Sequence, residues 1–286
     1  MNRIHGFTLV EALIALVLSS LVLILVSTTF LVQNRYQANQ VLRAAAHDNV
    51  RSATDLISRE LRSSMRGGIV VAGARTLTVR SPVAVGSVCE RGSGFLADRD
   101  VHFDGGAARM ATEEIAGVAA HDPADGAWEY QLWPWFIMDG GSSASAARCA
   151  TATAADTTDA SEDFHTLRLL ALALGSDAPD VGELVMLFRE TTFTIEPSDL
   201  EPPMLALFRQ PYLEDPVEFA SGIDSTARFG YRLSGESSYR DTIPEGDLDD
   251  IDAVQLQLDA RRLSESAEEE DVTFGWSTNL LLRNAP

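Results

Sequence analysis

An uncharged apolar run near the N-terminus is the feature that most constrains this chain. The residues from Ala12 to Val32 carry no charged side chain and are rich in Leu, Val, Ile and Ala. Because about 20 helical residues span the hydrocarbon core of a bilayer, the run predicts a membrane helix. A cleaved secretory signal is one alternative, although its apolar region is usually shorter and Val26-Ser27-Thr28 is a poor cleavage site. An ordinary signal anchor is a second alternative.

Glu11 directly precedes the apolar run. A carboxylate near one end of a membrane helix is costly and usually marks an interaction with a specific partner. In the simplest alternative its side chain extends to the membrane surface and stays hydrated. The carboxylate argues against an ordinary signal anchor.

The predicted helix continues well beyond the apolar run. No glycine or proline lies between Gly6 and Gly67, so the intervening segment predicts one helix roughly 90 Å long. Its second half, from Gln33, is amphipathic and is expected to pack on the chain's own body. The apolar stripe consists of Leu42, Ala46, Val50, Ala53, Ile57 and Leu61, and the opposite face carries Arg43, Arg51, Asp55, Arg59 and Arg62. Asp55 and Arg59 are predicted to form an i,i+4 ion pair.

Beyond Gly68 the sequence predicts short strands separated by turns. The fold class is therefore α+β, with a long N-terminal helix followed by a mainly antiparallel β-sheet head. Met110–Ala120 is expected to form a short helix. The predicted strands are Ile69–Val71, Thr76–Arg80, Tyr130–Met138, Thr166–Leu174, Leu184–Ile195, Leu205–Arg209, Ala227–Leu233, Ala253–Ala260 and Val272–Arg283.

Charge is distributed unevenly along the chain. Residues 1–80 hold 9 Arg and 4 acidic residues, whereas residues 81–286 hold 13 Arg and 38 acidic residues, with no Lys anywhere. A basic stem thus precedes a strongly acidic body. Because phosphate binding needs clustered positive charge, this balance argues against nucleic acid as a partner.

No catalytic or metal-binding motif stands out. The histidines are isolated in sequence, and no zinc-protease, nucleophile-elbow or phosphate-loop pattern occurs. The acidic segment Glu245–Asp252 has oxygen ligands close enough together for Ca²⁺ but lacks the full twelve-residue loop, so a solvated turn is the favoured interpretation. We therefore assign no catalytic residue, no metal ligand and no cofactor.

The residues Gly6-Phe7-Thr8-Leu9-Val10-Glu11 follow a short leader that contains Arg3. This arrangement resembles the class III signal of type IV pilins and of type II secretion pseudopilins. The resemblance implies that a prepilin peptidase cuts between Gly6 and Phe7 and methylates the new amine of Phe7. Glu11 would become the fifth mature residue, which in this family pairs with the terminal amine of a neighbouring subunit.

A looser resemblance lies late in the chain and points to PilW-type minor pilins, whose outline J-type minor pseudopilins share. Residues 85–165 match no pattern that we can name. The segments that carry this resemblance are Gly222-Ile-Asp224, Phe229-Gly-Tyr-Arg232, Ile251-Asp-Ala-Val-Gln-Leu256 and Leu280-Leu-Leu-Arg-Asn284.

The resemblance implies a leader at residues 1–6, a transmembrane and filament-core helix at 7–33, an amphipathic stem at 34–66 and a periplasmic head at 67–286. It implies a single-pass inner-membrane protein that is later assembled into an extracellular pilus as a non-catalytic subunit. The implied partners are the prepilin peptidase, other minor pilins, the major pilin, the inner-membrane assembly machinery and the inner membrane. A membrane-anchored periplasmic enzyme or sensor is the alternative from another functional class.

Cys89 and Cys149 are the only cysteines. For a head outside the cytoplasm, an even count in an oxidising compartment predicts one disulfide between them. Two unpaired buried thiols are the alternative.

The predicted disulfide has a measurable effect on stability. It would close the long loop that separates the two cysteines in sequence. Cys89→Ser should therefore lower the free energy of unfolding by roughly 4 kcal/mol in the chain-entropy model. Non-reducing peptide mapping should recover a Cys89–Cys149 peptide. Alkylation of both thiols under native, oxidising conditions would reject the link.

Overall fold

A computed structural model describes most of the helix and much of the head. The described residues are 9–91, 98–103, 115–121, 128–132, 165–170, 180–200, 202–262 and 272–282. One helix, α1 (Leu9–Ser63), precedes the strands. In chain order the strands are β1 (Ile69–Ala72), β2 (Thr76–Arg91), β3 (Asp98–Phe103), β4 (Gly117–His121), β5 (Trp128–Leu132), β6 (His165–Leu170), β7 (Leu184–Pro197), β8 (Leu205–Pro211), β9 (Val217–Ile223), β10 (Arg228–Leu233), β11 (Ile251–Arg262) and β12 (Val272–Leu281).

Within the described residues the twelve strands form one sheet in the order β10-β11-β9-β8-β7-β2-β3-β6, and each pairing is antiparallel. β1 joins β2, β12 joins β11, and β5 joins β4, which pairs with β7. The long strands β2 and β7 form the centre of this sheet. Their register shifts between Pro82 and Ala84, where proline has no N–H to donate to the ladder. The α+β architecture with an antiparallel head is thus confirmed.

The second half of α1 packs on one face of the sheet. Val50, Ala53, Ile57 and Leu61 are at most 2% exposed and share one core with side chains of β1, β2 and β7 to β12 and of the loops between them. This confirms the predicted stripe from Val50 onward, whereas the side chains of Leu42 and Ala46 lie outside the described set. Arg51, Asp55, Arg59 and Arg62 are exposed, as expected for the opposite face.

The ion pair predicted between Asp55 and Arg59 is wrong. Asp55 pairs with Arg51, one turn earlier, with 4.0 Å between Arg51 Nε and Asp55 Oδ2. Both side chains are about two-thirds exposed, so the pair adds little stability.

Two of the late segments that carry the looser resemblance, Phe229–Arg232 and Ile251–Leu256, lie on β10 and β11. Phe229 and Tyr231 on β10 are fully buried. The Tyr231 hydroxyl donates to the Gly73 carbonyl at 3.0 Å, with the Thr76 carbonyl at 3.3 Å, and so closes the turn between β1 and β2. Arg232 donates to both oxygens of Asp252 on β11, at 2.9 and 3.1 Å. These residues therefore serve packing and pairing within the head.

Some predicted elements need correction. The short helix expected over Met110–Ala120 is wrong where the structure describes it, because Gly117–His121 is a strand. Its alanine-rich sequence suits a helix, but pairing with β5 and β7 buries Val118 and Ala119 and outweighs that local preference. The strands β3 and β9 were not predicted.

One buried tyrosine, Tyr231, and one half-buried tyrosine, Tyr130, make the head sensitive to alkali. Burial raises the pKa of Tyr130 and of Tyr231 above the ordinary value of 10.0. Their contribution is fully present below about pH 10, and it is lost at higher pH because the unfolded chain releases these protons first. We expect the free energy of unfolding to fall as the pH rises above 10.

Tyr231→Phe tests this assignment by denaturant titration across pH. The variant should lose about 1 kcal/mol at neutral pH, because its hydrogen bond to the backbone is gone. It should then show a shallower alkaline decline than the wild type. Tyr36→Phe, at an exposed position on α1, is the matched control. An alkaline decline in Tyr231→Phe as steep as in the wild type would contradict the assignment.

Candidate functional site

The first half of α1 exposes apolar side chains on every side. Its large apolar residues from Leu9 to Val32 are each between 52% and 78% exposed. Residues Leu9–Ala38 are long and apolar enough to cross a membrane, and none of that window is buried inside the structure. At about 1.5 Å per residue they extend roughly 45 Å, against a hydrocarbon core of about 30 Å. A helix that is apolar all round needs an apolar environment on every side.

Three hydroxyl groups in this segment form hydrogen bonds within the helix itself. Ser20 donates to the Val17 carbonyl at 2.8 Å, and Thr29 donates to the Leu25 carbonyl at 2.8 Å. Thr28 donates to the same carbonyl at 2.9 Å. Because lipid offers no hydrogen-bond partners, such internal satisfaction suits a helix surrounded by hydrocarbon.

Leaving this surface in water would be unfavourable. Burying one large aliphatic side chain is worth roughly 1.5–3 kcal/mol, and α1 exposes more than a dozen of them. The described part of the head does not cover them, since its contacts with α1 involve the second half of the helix. This surface suits lipid or the apolar helices of other molecules.

Glu11 is the acidic residue in the first turn of α1, and it is exposed. The positive end of the helix dipole favours a carboxylate at that position. Gly6 and Phe7, the two predicted processing residues, lie outside the described residues. The roles predicted for these three residues therefore remain predictions.

A buried carboxylate fixes α1 to the sheet. Glu60 is only 3% exposed and accepts hydrogen bonds from Ser81 Oγ at 2.6 Å and from Arg189 Nη2 at 2.8 Å. Arg189 Nε also donates to Ser81 Oγ at 3.2 Å, which closes a three-residue ring between the helix, β2 and β7. Arg209 Nη2 on β8 lies 4.0 Å from the same carboxylate. We call Glu60, Ser81, Arg189 and Arg209 the Glu60 lock.

The chain then turns tightly from helix to sheet. Gly67 adopts φ +75°, and a Cβ on Gly68 would lie 2.1 Å from Ser64 Oγ, so neither position suits a side chain. The Gly68 carbonyl accepts a hydrogen bond from the Arg80 N–H at 2.6 Å. The Arg80 side chain pairs with Glu190 at 2.9 Å and lies 5.2 Å from the centre of the Tyr130 ring. These contacts and the Glu60 lock together fix the direction of the helix relative to the head.

Glu60 was not singled out from the sequence. Its spacing carried a signal, because Glu60 follows buried Ile57 by three residues and so lies on the buried side of the helix. A carboxylate at such a position needs a buried partner. No sequence pattern near Glu60 predicts Ser81 or Arg189 as its partners, because they lie 21 and 129 residues further along the chain.

The remaining predicted positions do not come together as one site. Cys89 is buried on β2, and Cys149 lies outside the described residues, so their pairing stays a prediction. The acidic segment Glu245–Asp250 forms a 3₁₀ turn, and Asp252 pairs with Arg232. No group of three or more His, Cys, Asp or Glu side chains that would suit a metal occurs within the described part of the chain.

Comparison with known proteins gives one finding. Residues 1–27 match the family model described as the prokaryotic N-terminal methylation motif. No curated protein and no solved structure matches the chain. The motif, followed by the apolar helix, supports a type IV pilin-like protein and indicates a prepilin peptidase substrate. It points to a structural protein and is consistent with a single pass through the inner membrane.

The Glu60 lock yields a stability prediction. Glu60→Gln removes the charge that Arg189 and Arg209 face, and breaking a buried pair in this way typically costs about 3–5 kcal/mol. Because both arginines are partly exposed, we expect a loss near the lower end, about 3 kcal/mol. Denaturant unfolding of the full-length protein in detergent measures it.

Asp55→Asn is the matched control for this prediction. It removes a carboxylate from the exposed face of the same helix, and its pair with Arg51 is worth at most about 0.5 kcal/mol. Equal stability losses in Glu60→Gln and Asp55→Asn would show that the lock does not hold the helix.

Proposed function

We propose that this chain is a PilW-like minor pilin of a type IV pilus that primes assembly and sits at or near the pilus tip. In this role the protein is a non-catalytic building block. Its direct partners are the prepilin peptidase, other minor pilins, the major pilin and the inner-membrane assembly machinery. The head lies in the periplasm before assembly and outside the cell afterwards.

The uncovered apolar half of α1 is the observation that carries the proposal. That segment needs an apolar environment on all sides, and the described part of its own head covers none of it. The inner membrane supplies this environment before assembly, and the packed helices of neighbouring subunits supply it in a filament. A subunit can therefore leave the membrane without exposing this surface to water.

Glu11 gives the contact between neighbouring subunits a defined geometry, which apolar packing alone does not. Cutting after Gly6 creates a positively charged amine on Phe7, four residues before Glu11. In the apolar core of a filament each charge needs a partner. Pairing between Glu11 of one subunit and the Phe7 amine of a neighbour satisfies both charges and fixes how far adjacent helices are displaced along the axis.

The charge and size of the head support a tip position. The head, residues 67–286, makes up most of the chain, and residues 81–286 contain 38 acidic residues against 13 Arg. Copies repeated along a shaft must fit into a tight helical lattice, and such heads would crowd and repel one another. A subunit present once or a few times at the tip avoids that repulsion.

Glu11→Gln tests the proposed role at assembly. In the variant the Phe7 amine of the neighbour lacks its counter-charge, which costs about 3–5 kcal/mol, or less where water reaches the filament core. Cutting and membrane insertion should survive, because the scissile bond lies four residues away and the change removes a charge. We expect mature, methylated protein in the membrane, few pili and poor recovery of other minor subunits.

Asp48→Asn serves as the control, since Asp48 is an exposed carboxylate on the same helix outside the apolar segment. It should leave pili at wild-type numbers. Normal pili and normal recovery of minor subunits with Glu11→Gln would refute the pairing. If the Glu11→Gln strain keeps normal pili but loses secreted proteins, the chain would instead be a J-type pseudopilin of type II secretion.

A further inference from the structure

The Glu60 lock contains more positive than negative charge. Glu60 Oε1 lies 2.8 Å from Arg189 Nη2 and 4.0 Å from Arg209 Nη2, so one carboxylate faces two guanidinium groups. Among the described residues, no second carboxylate forms an ion pair with either of these arginines. By contrast, Arg80 on β2 is matched by a carboxylate of its own, that of Glu190. The lock therefore holds one positive charge that its own residues do not balance.

Arg209 is the arginine whose donors are poorly used. Arg189 donates to Glu60 through Nη2 and to Ser81 through Nε. The 4.0 Å between Arg209 Nη2 and Glu60 is too long for a hydrogen bond, and Arg209 Nε is buried without an acceptor in the described chain. A buried N–H without an acceptor is unfavourable, so this guanidinium suits an acceptor that binds from outside.

Thr191 supplies a second buried donor beside the lock. It is 1% exposed, and its Oγ1 has no hydrogen-bond partner among the residues that the structure describes. Thr191 is two residues after Arg189 on β7, so both side chains lie on the same face of the sheet. Arg209 pairs across the strands with Phe193, two residues further along β7. To reach Glu60, the Arg209 side chain therefore extends past Thr191.

We propose that Arg209, Arg189 and Thr191 bind one small tetrahedral oxyanion of the phosphate class. A guanidinium presents its N–H groups in a planar fork that matches the oxygens of such an anion. A tetrahedral anion can accept from three donor groups at once, because its oxygens face several directions, whereas a carboxylate has two oxygens in one plane. Both arginine side chains are about one-third exposed, so the anion can reach them from solvent.

The bound anion strengthens the attachment of α1 to the head. Its charge offsets the repulsion between the two guanidinium groups that surround Glu60. Because it binds the folded state, it raises stability by mass action. The rest of the head disfavours anions, since residues 81–286 contain 38 acidic residues against 13 Arg, so a stabilising anion must act at a specific site. The inference does not depend on the proposed function.

Titration with inorganic phosphate tests the proposal. The thermal midpoint of the full-length protein is measured in a detergent without phosphate groups, with sodium chloride keeping the ionic strength constant. We expect the midpoint to rise and level off, by about 3 °C when phosphate exceeds its dissociation constant tenfold. Phosphorus NMR line broadening measures the binding directly. Acetate should need at least a tenfold higher concentration. No rise with phosphate, or an equal response to acetate, would overturn the proposal.

Arg209→Gln should abolish the rise with phosphate, because it removes the unbalanced charge and leaves Arg189 paired with Glu60. Arg228→Gln is the matched control, since it removes an arginine that is 52% exposed and pairs with Asp241 on the same sheet. The control should keep the full rise. A rise in Arg209→Gln equal to that of the wild type, or a loss in both variants, would show a general salt effect and would overturn the site.

A pair of threonine variants keeps the test decisive if Arg209→Gln does not fold. Thr191→Val removes the unpartnered hydroxyl from a strand, where valine is favoured, so the midpoint without phosphate should not fall. Phosphate should bind about tenfold more weakly, because a hydrogen bond to a charged ligand is lost. Thr192→Val, whose hydroxyl lies 3.0 Å from Thr78 Oγ1 on the opposite face, should leave phosphate affinity unchanged. Equal phosphate affinity in the two variants would overturn the proposal.

Discussion

The first half of α1 is apolar on every side, and the described part of the chain covers none of it. A helix of this kind is stable in lipid or in contact with other apolar helices, and water is excluded in either case. Residues 1–27 of the same chain match the prokaryotic N-terminal methylation motif. The N-terminal half of the helix is thus built for association, and its stability comes from surroundings that the chain does not provide.

The second half of the same helix packs against the head of its own chain. Its buried stripe, the Glu60 lock and the tight turn at Gly67-Gly68 hold the head in one direction relative to the helix axis. A force applied to the apolar segment is therefore transmitted to the head without a flexible joint in this connection. The apolar segment and the head are thereby coupled through a single helix–sheet interface.

Periodic features could be predicted from the sequence, whereas contacts between distant residues could not. The helix, its stripe from Val50 and most of the strands follow from the spacing of apolar residues within a single stretch of sequence. Gly117–His121 was mistaken for helix because pairing with β7 decides its conformation, and β7 lies far along the chain from it. The partners of Glu60 are likewise set by tertiary packing. The predicted processing residues Gly6 and Phe7 came from a short motif, which needs no knowledge of the head.

The mass of the N-terminal peptide decides whether the apolar helix belongs to a processed, pilin-like subunit. Full-length protein is purified from the membranes of its native cells and digested, and its N-terminal peptide is sequenced by mass spectrometry. We expect a peptide that begins at Phe7 and carries one added methyl group on its amine. A Gly6→Val variant, which should block cutting, provides the unprocessed reference. A wild-type peptide that retains residues 1–6, or that begins at another residue, would refute the pilin-like role.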